Sequence, residues 1–373
     1  MKDSQRDATR AMIDTYLARL SKPDALARKN RPPPTFSVYW ENLGWAQLFG
    51  FDMNHFIDDL RFQIETTMKM RLWHLDNWAD DTGYGPDLGP TVGMYWEYSL
   101  LGMRVGHQAD GVPILPENHP MRRSPDLSLL ARHDFLATGE MPRILRYHEE
   151  ATRLVDGKLK VSFPVWGRGP FDIAVQLRGY EGIIDDMRER PVFVHALMRF
   201  ITEERIRWWD AYCSHFGLKE RTCGIADDWV NVPFISPAMF EEFILPSYFE
   251  LERYHGSLGG FHTCADQVPI QKLLLRLPTL RDFEVTPWTD LEATLRNVPA
   301  DKNLTVHIKN VDVLLSDDAR AERQLRRIRT LCEAAGRKFS VCGQALSRVH
   351  KDMADDVRQV QRWIAVARRV LHD

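Results

Sequence analysis

His262 and Cys264 place an imidazole and a thiol two positions apart, directly after the small and apolar run 257–261. That run reads as a buried strand, and strand positions i and i+2 face the same side, so both donors can reach one ion. A second thiol, Cys342, ends a similar strand pattern at 338–342 and is followed by Gly343. A His-x-Cys pair alone is a weak signal, because a buried Cys is usually a small packed hydrophobe. With the second thiol added, His262, Cys264 and Cys342 read as a zinc site. Three protein ligands leave a fourth position for water or substrate, which marks a reactive rather than a closed site. Zinc lowers the pKa of a thiol that reaches it, and it can act as a Lewis acid on the heteroatom of a substrate. Two thiolates and a neutral imidazole cancel the charge of the ion, which leaves an incoming thiolate nucleophilic.

These residues need a frame that brings distant segments together. Strand patterns at 35–40, 160–165, 222–226, 257–261, 280–285, 303–308 and 339–342 alternate with helical patterns at 142–154, 267–277, 290–297, 319–335 and 355–371. A long helix starts at Pro191 and breaks at Gly217, and Ser236 opens another as its N-cap. Such alternation predicts an α/β fold with a parallel sheet covered by helices; closed at eight strands it is a (β/α)8 TIM barrel, although only seven strands are legible. In that fold chemistry gathers at the carboxyl ends of strands. Asp227 and Asp228 follow one strand, His262 and Cys264 the next, Glu284 and Thr286 a third, His307 and Lys309 a fourth, and Cys342 closes the set.

Asp227 or Asp228 orients substrate or a metal ligand, or else forms an N-cap or loop hydrogen bond. His307 is a proton shuttle, a phosphate contact or a satisfied core histidine. Arg178 and Lys309 are the candidate cofactor contacts, with Arg178 alternatively fixing a loop through carbonyls. Cys213 and Cys332 fall in helical patterns and Cys223 in a strand, as core residues.

Ahead of the barrel, residues 1–34 form a helical extension, with apolar positions at helical spacing up to Leu20 and a link ending in Pro32-Pro33-Pro34. Residues 35–373 form the catalytic barrel. Its early part is an elaborated loop region rich in Trp and Tyr, with a helix predicted at 54–75 behind Asn54 as N-cap and a Gly- and Pro-marked loop at 83–93. The aromatics either line a pocket for a flat ligand or pack the loop onto the barrel. Lys+Arg 49 against Asp+Glu 52 gives a net charge of -3, which offers no basic face for nucleic acid. No apolar run of about 18 residues and no leader pattern is present, so the cytoplasm is the expected compartment. Five Cys suit reduced thiols and metal binding better than a disulfide framework.

The run Gly169-Pro170-Phe171-Asp172-Ile173-Ala174-Val175-Gln176-Leu177-Arg178-Gly179, the long helix after Pro191, Ile235-Ser236-Pro237 followed by Phe243-Ile244-Leu245-Pro246, and the His-x-Cys strand together resemble the uroporphyrinogen decarboxylase superfamily. The resemblance covers most of the chain from about residue 142. One branch of that superfamily decarboxylates porphyrinogens without metal. The other comprises zinc methyltransferases that exchange methyl groups with a corrinoid on a separate protein, and His262, Cys264 and Cys342 match its His-x-Cys…Cys motif. Ala265 departs from the Gly that commonly follows the metal Cys. The first branch holds substrate carboxylates with an Arg-rich loop after the first strand, whereas here Tyr39-Trp40-Glu41-Asn42-Leu43-Gly44-Trp45 contains no Arg.

The resemblance implies a zinc-dependent methyltransferase that moves a methyl group between a corrinoid (cobalamin) and a small thiol or a methoxylated substrate, the latter being O-demethylation. The chain contains no Asp-x-His-x-x-Gly corrinoid-binding pattern, so cobalamin is expected on a partner protein or free in solution. The alternatives are a metal-free decarboxylase of a cyclic or aromatic acid and a non-catalytic tetrapyrrole or corrinoid carrier.

Overall fold

The computed structural model describes residues 2–108, 113–115, 119–219, 223–230 and 234–373. Its strands, in chain order, are β1 (Thr35–Trp40), β2 (Asp87–Leu88), β3 (Lys160–Val161), β4 (Cys223–Ala226), β5 (Leu258–His262), β6 (Asp282–Val285), β7 (Asn303–Ile308) and β8 (Phe339–Leu346), with a further small hairpin of Gly106–His107 and Pro113–Ile114. The strands β4, β5, β6, β7, β8 and β1 lie side by side in that order, all parallel. Residue 222, the expected first residue of β4, lies outside the described residues.

The wall closes through two irregular positions. Beside β1, Asp81 donates its N–H to the Phe36 carbonyl (2.9 Å), while the Asp81 and Asp80 carboxylates accept from the N–H groups of Phe36 and Val38. The same stretch continues into β2, which pairs in parallel with β3. Beyond β3, Arg168 bridges Ala226 of β4, with Gly169 N–H on the Ala226 carbonyl at 2.7 Å. The (β/α)8 barrel is therefore present, and the strand expected at 160–165 shrinks to two residues, Lys160–Val161.

Along the regular strands, alternation sets what the lumen contains. Phe36, Val38, Trp40, Leu304, Val306, Ile308, Phe339 and Val341 are buried beneath the helices. The intervening positions Ser37, Tyr39, Thr305, His307, Ser340 and Cys342 face the other way, and Thr305 and Ser340 meet through their hydroxyls at 3.0 Å. The inner face of these strands is polar instead of branched and aliphatic.

Several boundaries differ from expectation. The helix expected at 54–75 is two helices, Met53–Asp58 and Leu60–Asn77, capped by Asp52 and Asp59 rather than by Asn54. Each Asp is extended in backbone and accepts an N–H from the first turn, which an acid at that position does well. Strand β8 does not stop at Cys342 but runs on to Leu346. Gly343 is there for close approach, since a Cβ at that position would stand 3.2 Å from Val313 and 3.5 Å from Val38. The long helix Pro191–Phe216 ends as expected at Gly217, whose φ of +63° suits the residue without a Cβ.

Helices Lys2–Leu20 and Pro23–Lys29 precede β1. The first buries Ile13 and Tyr16, and Tyr16 donates to the Gly85 carbonyl at 2.9 Å. The ring centre of the buried Trp45 lies 5.7 Å from that of Trp73 and 5.5 Å from that of Trp78, so part of the early aromatic set is core. No helix among the described residues is long and apolar enough to cross a membrane.

Candidate metal centre

Strand β5 ends on His262, and the chain then bends so that Cys264 turns back toward it. The Cys264 Sγ lies 3.6 Å from His262 Nε2. Asp228, just beyond β4, brings its Oδ1 to 3.4 Å from the same nitrogen and 3.5 Å from the sulfur. One nitrogen, one sulfur and one oxygen thus lie within 4.8 Å of one another. The loop that holds them is pinned by backbone and hydroxyl bonds: Asp227 N–H to the His262 carbonyl, Thr263 to the Val230 carbonyl and Thr286 to the Ala265 carbonyl.

The imidazole is oriented from behind. Glu284, at an inward position of the adjacent strand β6, meets His262 Nδ1 at 2.5 Å. With Nδ1 engaged, Nε2 is the atom presented to Cys264 and Asp228, the arrangement by which a carboxylate fixes a metal-binding histidine. Burial lowers the His262 pKa, but hydrogen bonds and charge from Cys264 and Glu284 outweigh it and push it up to about 10. The cluster is rich in anionic donors, and a divalent cation satisfies the same three atoms that otherwise hold a proton among them. Imidazole, thiolate and carboxylate all suit zinc.

Asp228 is shared. Its second oxygen pairs with Arg168, whose Nη1 also reaches Asp172 Oδ2 at 3.1 Å, and the guanidinium lies 5.1 Å from the centre of the Tyr95 ring. Arg205, buried in the long helix, donates to the Arg168 carbonyl at 2.8 Å and to the Gly224 carbonyl at 2.9 Å, tying this segment to β4. Burial lifts the Asp172 carboxyl to about 6, with Arg168 lowering it and Asp228 raising it.

Asp227 points elsewhere. It is fully buried, and its Oδ2 accepts from Tyr248 OH at 2.8 Å and from Phe171 N–H at 3.2 Å, at the start of helix Pro170–Arg178. Burial, and then the Asp172 charge, hold its carboxyl well above the usual range. A Cβ on Gly169 would collide with that carboxylate at 2.1 Å, which explains the glycine that opens the Gly-Pro-Phe-Asp run.

The remaining candidates lie apart from this group. Cys342 lies outside the 4.8 Å group, in the middle of β8, where it is in register with Ser37 of β1 and His307 of β7. Burial pushes its thiol up to about 11; Ser37 lowers it, and the charges of Asp80 and Glu284 raise it further. Burial also lowers the His307 pKa, while Glu284 raises it and His262 lowers it. Lys309 sets its ammonium 4.1 Å from the centre of the Trp288 ring. Arg178 is taken up by Asp186 at 2.6 Å and the Arg122 carbonyl at 2.9 Å. Arg168, Asp172 and Tyr95 carried no role in the sequence reading; the signal for the first two was the charged pair flanking Gly169-Pro170-Phe171. Glu284 is legible in the sequence as a strand-end acid, but its partner depends on which residue the neighbouring strand places opposite.

Comparison with known proteins gives a family and a fold. A methyltransferase from Methanosarcina mazei superposes with a TM-score of 0.63 over 92% of this chain and 98% of that one, at 14% identity, which is a likeness of fold. No curated protein matches the chain. The family model for uroporphyrinogen decarboxylase (URO-D) matches residues 90–342, more than half of the sequence. The chain belongs to the uroporphyrinogen decarboxylase family.

Proposed function

We propose that this protein is a zinc-dependent methyltransferase that moves a methyl group between a corrinoid and a small methylated substrate or thiol. The observation that carries the reading is the convergence of His262 Nε2, Cys264 Sγ and Asp228 Oδ1, with Glu284 fixing the imidazole from behind. His262 and Cys264 would hold the zinc, with Cys342 as the second sulfur or Asp228 as an oxygen donor. When bound, zinc supplies Lewis acidity that stabilises a sulfur or oxygen anion, and the corrinoid supplies the cobalt that takes or gives the methyl group. Glu284 keeps the His262 ring in one orientation. Arg168 holds Asp228 by its second oxygen, so that this carboxylate can give up the position nearest His262 without being left unpaired. Lys309 and His307 stand at the rim, where they can contact the cofactor or move a proton.

The fold of the methyltransferase from Methanosarcina mazei supports the reading, as does the rim of the barrel. Large apolar side chains stand exposed on the segments after the strands, among them Met94, Trp229, Phe234 at 62% and Trp288 at 65% exposure. Exposed apolar residues grouped around a polar opening mark a surface that another molecule covers, and a separate corrinoid protein is that molecule in this reading. Decarboxylation of a polycarboxylate is disfavoured, because the Arg168 side chain at the mouth is already shared by Asp172 and Asp228.

The test is metal analysis joined to turnover. Purified protein is expected to hold close to one zinc and to demethylate members of a panel of methoxy and methylthio compounds with cob(I)alamin, or to methylate thiols from methylcobalamin. Less than about half an equivalent of zinc, retained unchanged in Cys264→Ala, ends the reading. Carbon dioxide release from a porphyrinogen by metal-stripped protein would establish the decarboxylase instead, and tight corrinoid binding with no turnover would establish a carrier.

A further inference from the structure

Among the described residues, only Tyr95 and Asp156 hold a backbone other than glycine's at positive φ. Asp156 closes helix Met141–Val155 at φ +52°, a conformation that Asp tolerates. Tyr95 lies in the left-handed region at φ +69° and ψ +14°, where a bulky side chain is an outlier. The residues after it hold it there. All six of Trp96–Leu101 are buried, and the Trp96 ring centre lies 5.5 Å from that of Trp208. The Ser99 hydroxyl donates to the Trp96 carbonyl at 2.6 Å and accepts the Glu140 N–H at 2.9 Å. Backbone strain of this kind persists only where the surroundings fix it, and it gathers at sites that act.

The strained turn sets the Tyr95 ring beside the residues of the metal centre. Its centre is 5.1 Å from the Arg168 guanidinium and 4.9 Å from the centre of the Tyr98 ring. Arg168 pairs with Asp228, whose other oxygen stands 3.4 Å from His262 Nε2 and 3.5 Å from Cys264 Sγ. The nearby Tyr98 and Tyr248 commit their hydroxyls to Asp172 and Asp227, each at 2.8 Å. The Tyr95 side chain is partly exposed, and its hydroxyl has no hydrogen-bond partner among the described residues. Burial raises its pKa, Arg168 lowers it, and the charges of Asp172, Asp228 and Cys264 raise it further, so the hydroxyl keeps its proton at neutral pH. A donor without an acceptor therefore stands next to the candidate metal ligands.

We propose that Tyr95 is a further catalytic residue, its hydroxyl donating a hydrogen bond to the substrate sulfur or oxygen that loses or gains the methyl group. The proposal rests on the methyltransferase reading. In demethylation the bond between the methyl carbon and that heteroatom breaks, its electron pair stays on the heteroatom, and the corrinoid cobalt supplies the pair that binds the methyl carbon. The heteroatom gains negative charge, and a donor already in place stabilises it more than it does the neutral substrate. In the reverse sense the anion is the starting state, and the same hydrogen bond holds the thiolate.

The test uses the full-length protein with cobalt(II) in the metal site and 2-mercaptoethanol as the probe, read by the sulfur-to-cobalt absorption band. Tyr95→Phe keeps the ring on Arg168 and removes only the hydroxyl. It is expected to weaken thiol binding about 10-fold, with metal content and circular dichroism unchanged. With zinc and methylcobalamin, its KM for 2-mercaptoethanol should rise by a similar factor without a fall in kcat, a split that lost packing would not give. Should Tyr95→Phe fail to fold, Tyr95→Gly, which suits the left-handed backbone, is expected to show the same weakening. Equal thiol affinity in native and variant protein, or metal lost from folded Tyr95→Phe, would overturn the proposal and leave the methyltransferase reading standing. No thiol band in the native cobalt protein, or thiol binding without methyl transfer in either direction, would overturn that reading and the catalytic role with it.

Discussion

Two histidines of this barrel are each held by a carboxylate, and they are built for opposite ends. His74 is almost wholly buried, with Asp80 on one nitrogen and Tyr84 on the other, so neither ring nitrogen is left over. His262 is a third exposed, has Glu284 on Nδ1, and turns Nε2 toward a thiol and a second carboxylate in the open mouth. A histidine–carboxylate pair by itself therefore says little about function. What separates the two is whether the remaining nitrogen meets one neutral hydroxyl, as at Tyr84, or a thiol and a carboxylate together, as at Cys264 and Asp228.

Substitutions can break that contrast. The largest effect is expected at the open site: Cys264→Ala and His262→Ala should lose the metal and all methyl transfer while keeping native circular dichroism, checked by elemental analysis and turnover. At the buried site the loss should fall on stability instead. Asp80→Ala leaves His74 and the Val38 N–H without their partner, and should destabilise the fold by about 3–5 kcal/mol in urea unfolding with zinc content unchanged. Loss of zinc from folded Asp80→Ala would show that the two regions are not independent.

Glu284→Gln sharpens the comparison, because it removes the charge behind His262 while keeping a hydrogen-bonding group. Zinc affinity is expected to fall about 10–100-fold in chelator competition, with stability nearly unaltered. Comparing Asp228→Asn with Cys342→Ser then identifies the third donor, as the one whose loss lowers zinc affinity more. The smallest effect concerns pH. Burial raises the Asp80 pKa, but His74, Thr82 and Val38 together bring it below the ordinary value. A depressed carboxylate contributes stability above its unfolded pKa of about 3.9, and that contribution is lost as pH falls through the lower folded value. Unfolding of Asp80→Asn should therefore depend less on pH below about 4 than that of the native chain.

The regular half of the molecule was plain in its residues. Strand β7 falls at the expected 303–308, and the long helix ends at the expected glycine, because period-two and helical patterns there agree with local turn chemistry. The other half was not. The second wall position carries no strand pattern, since Asp80 and Asp81 satisfy β1 with side chains, and of the strand expected at 160–165 only Lys160–Val161 forms. Gly343 looked like a strand end but is a close contact with Val313 and Val38, so Cys342 sits mid-strand.

From its letters alone this chain determined the alternation of strands and helices, the residue types able to hold zinc, and their place at one end of the barrel, because those follow from spacing along the backbone. Only the folded molecule decided which of them meet. Glu284 finds His262, Arg168 finds Asp228, and Asp227 turns into the core, because partners contributed by neighbouring strands depend on register and on the burial of each side chain.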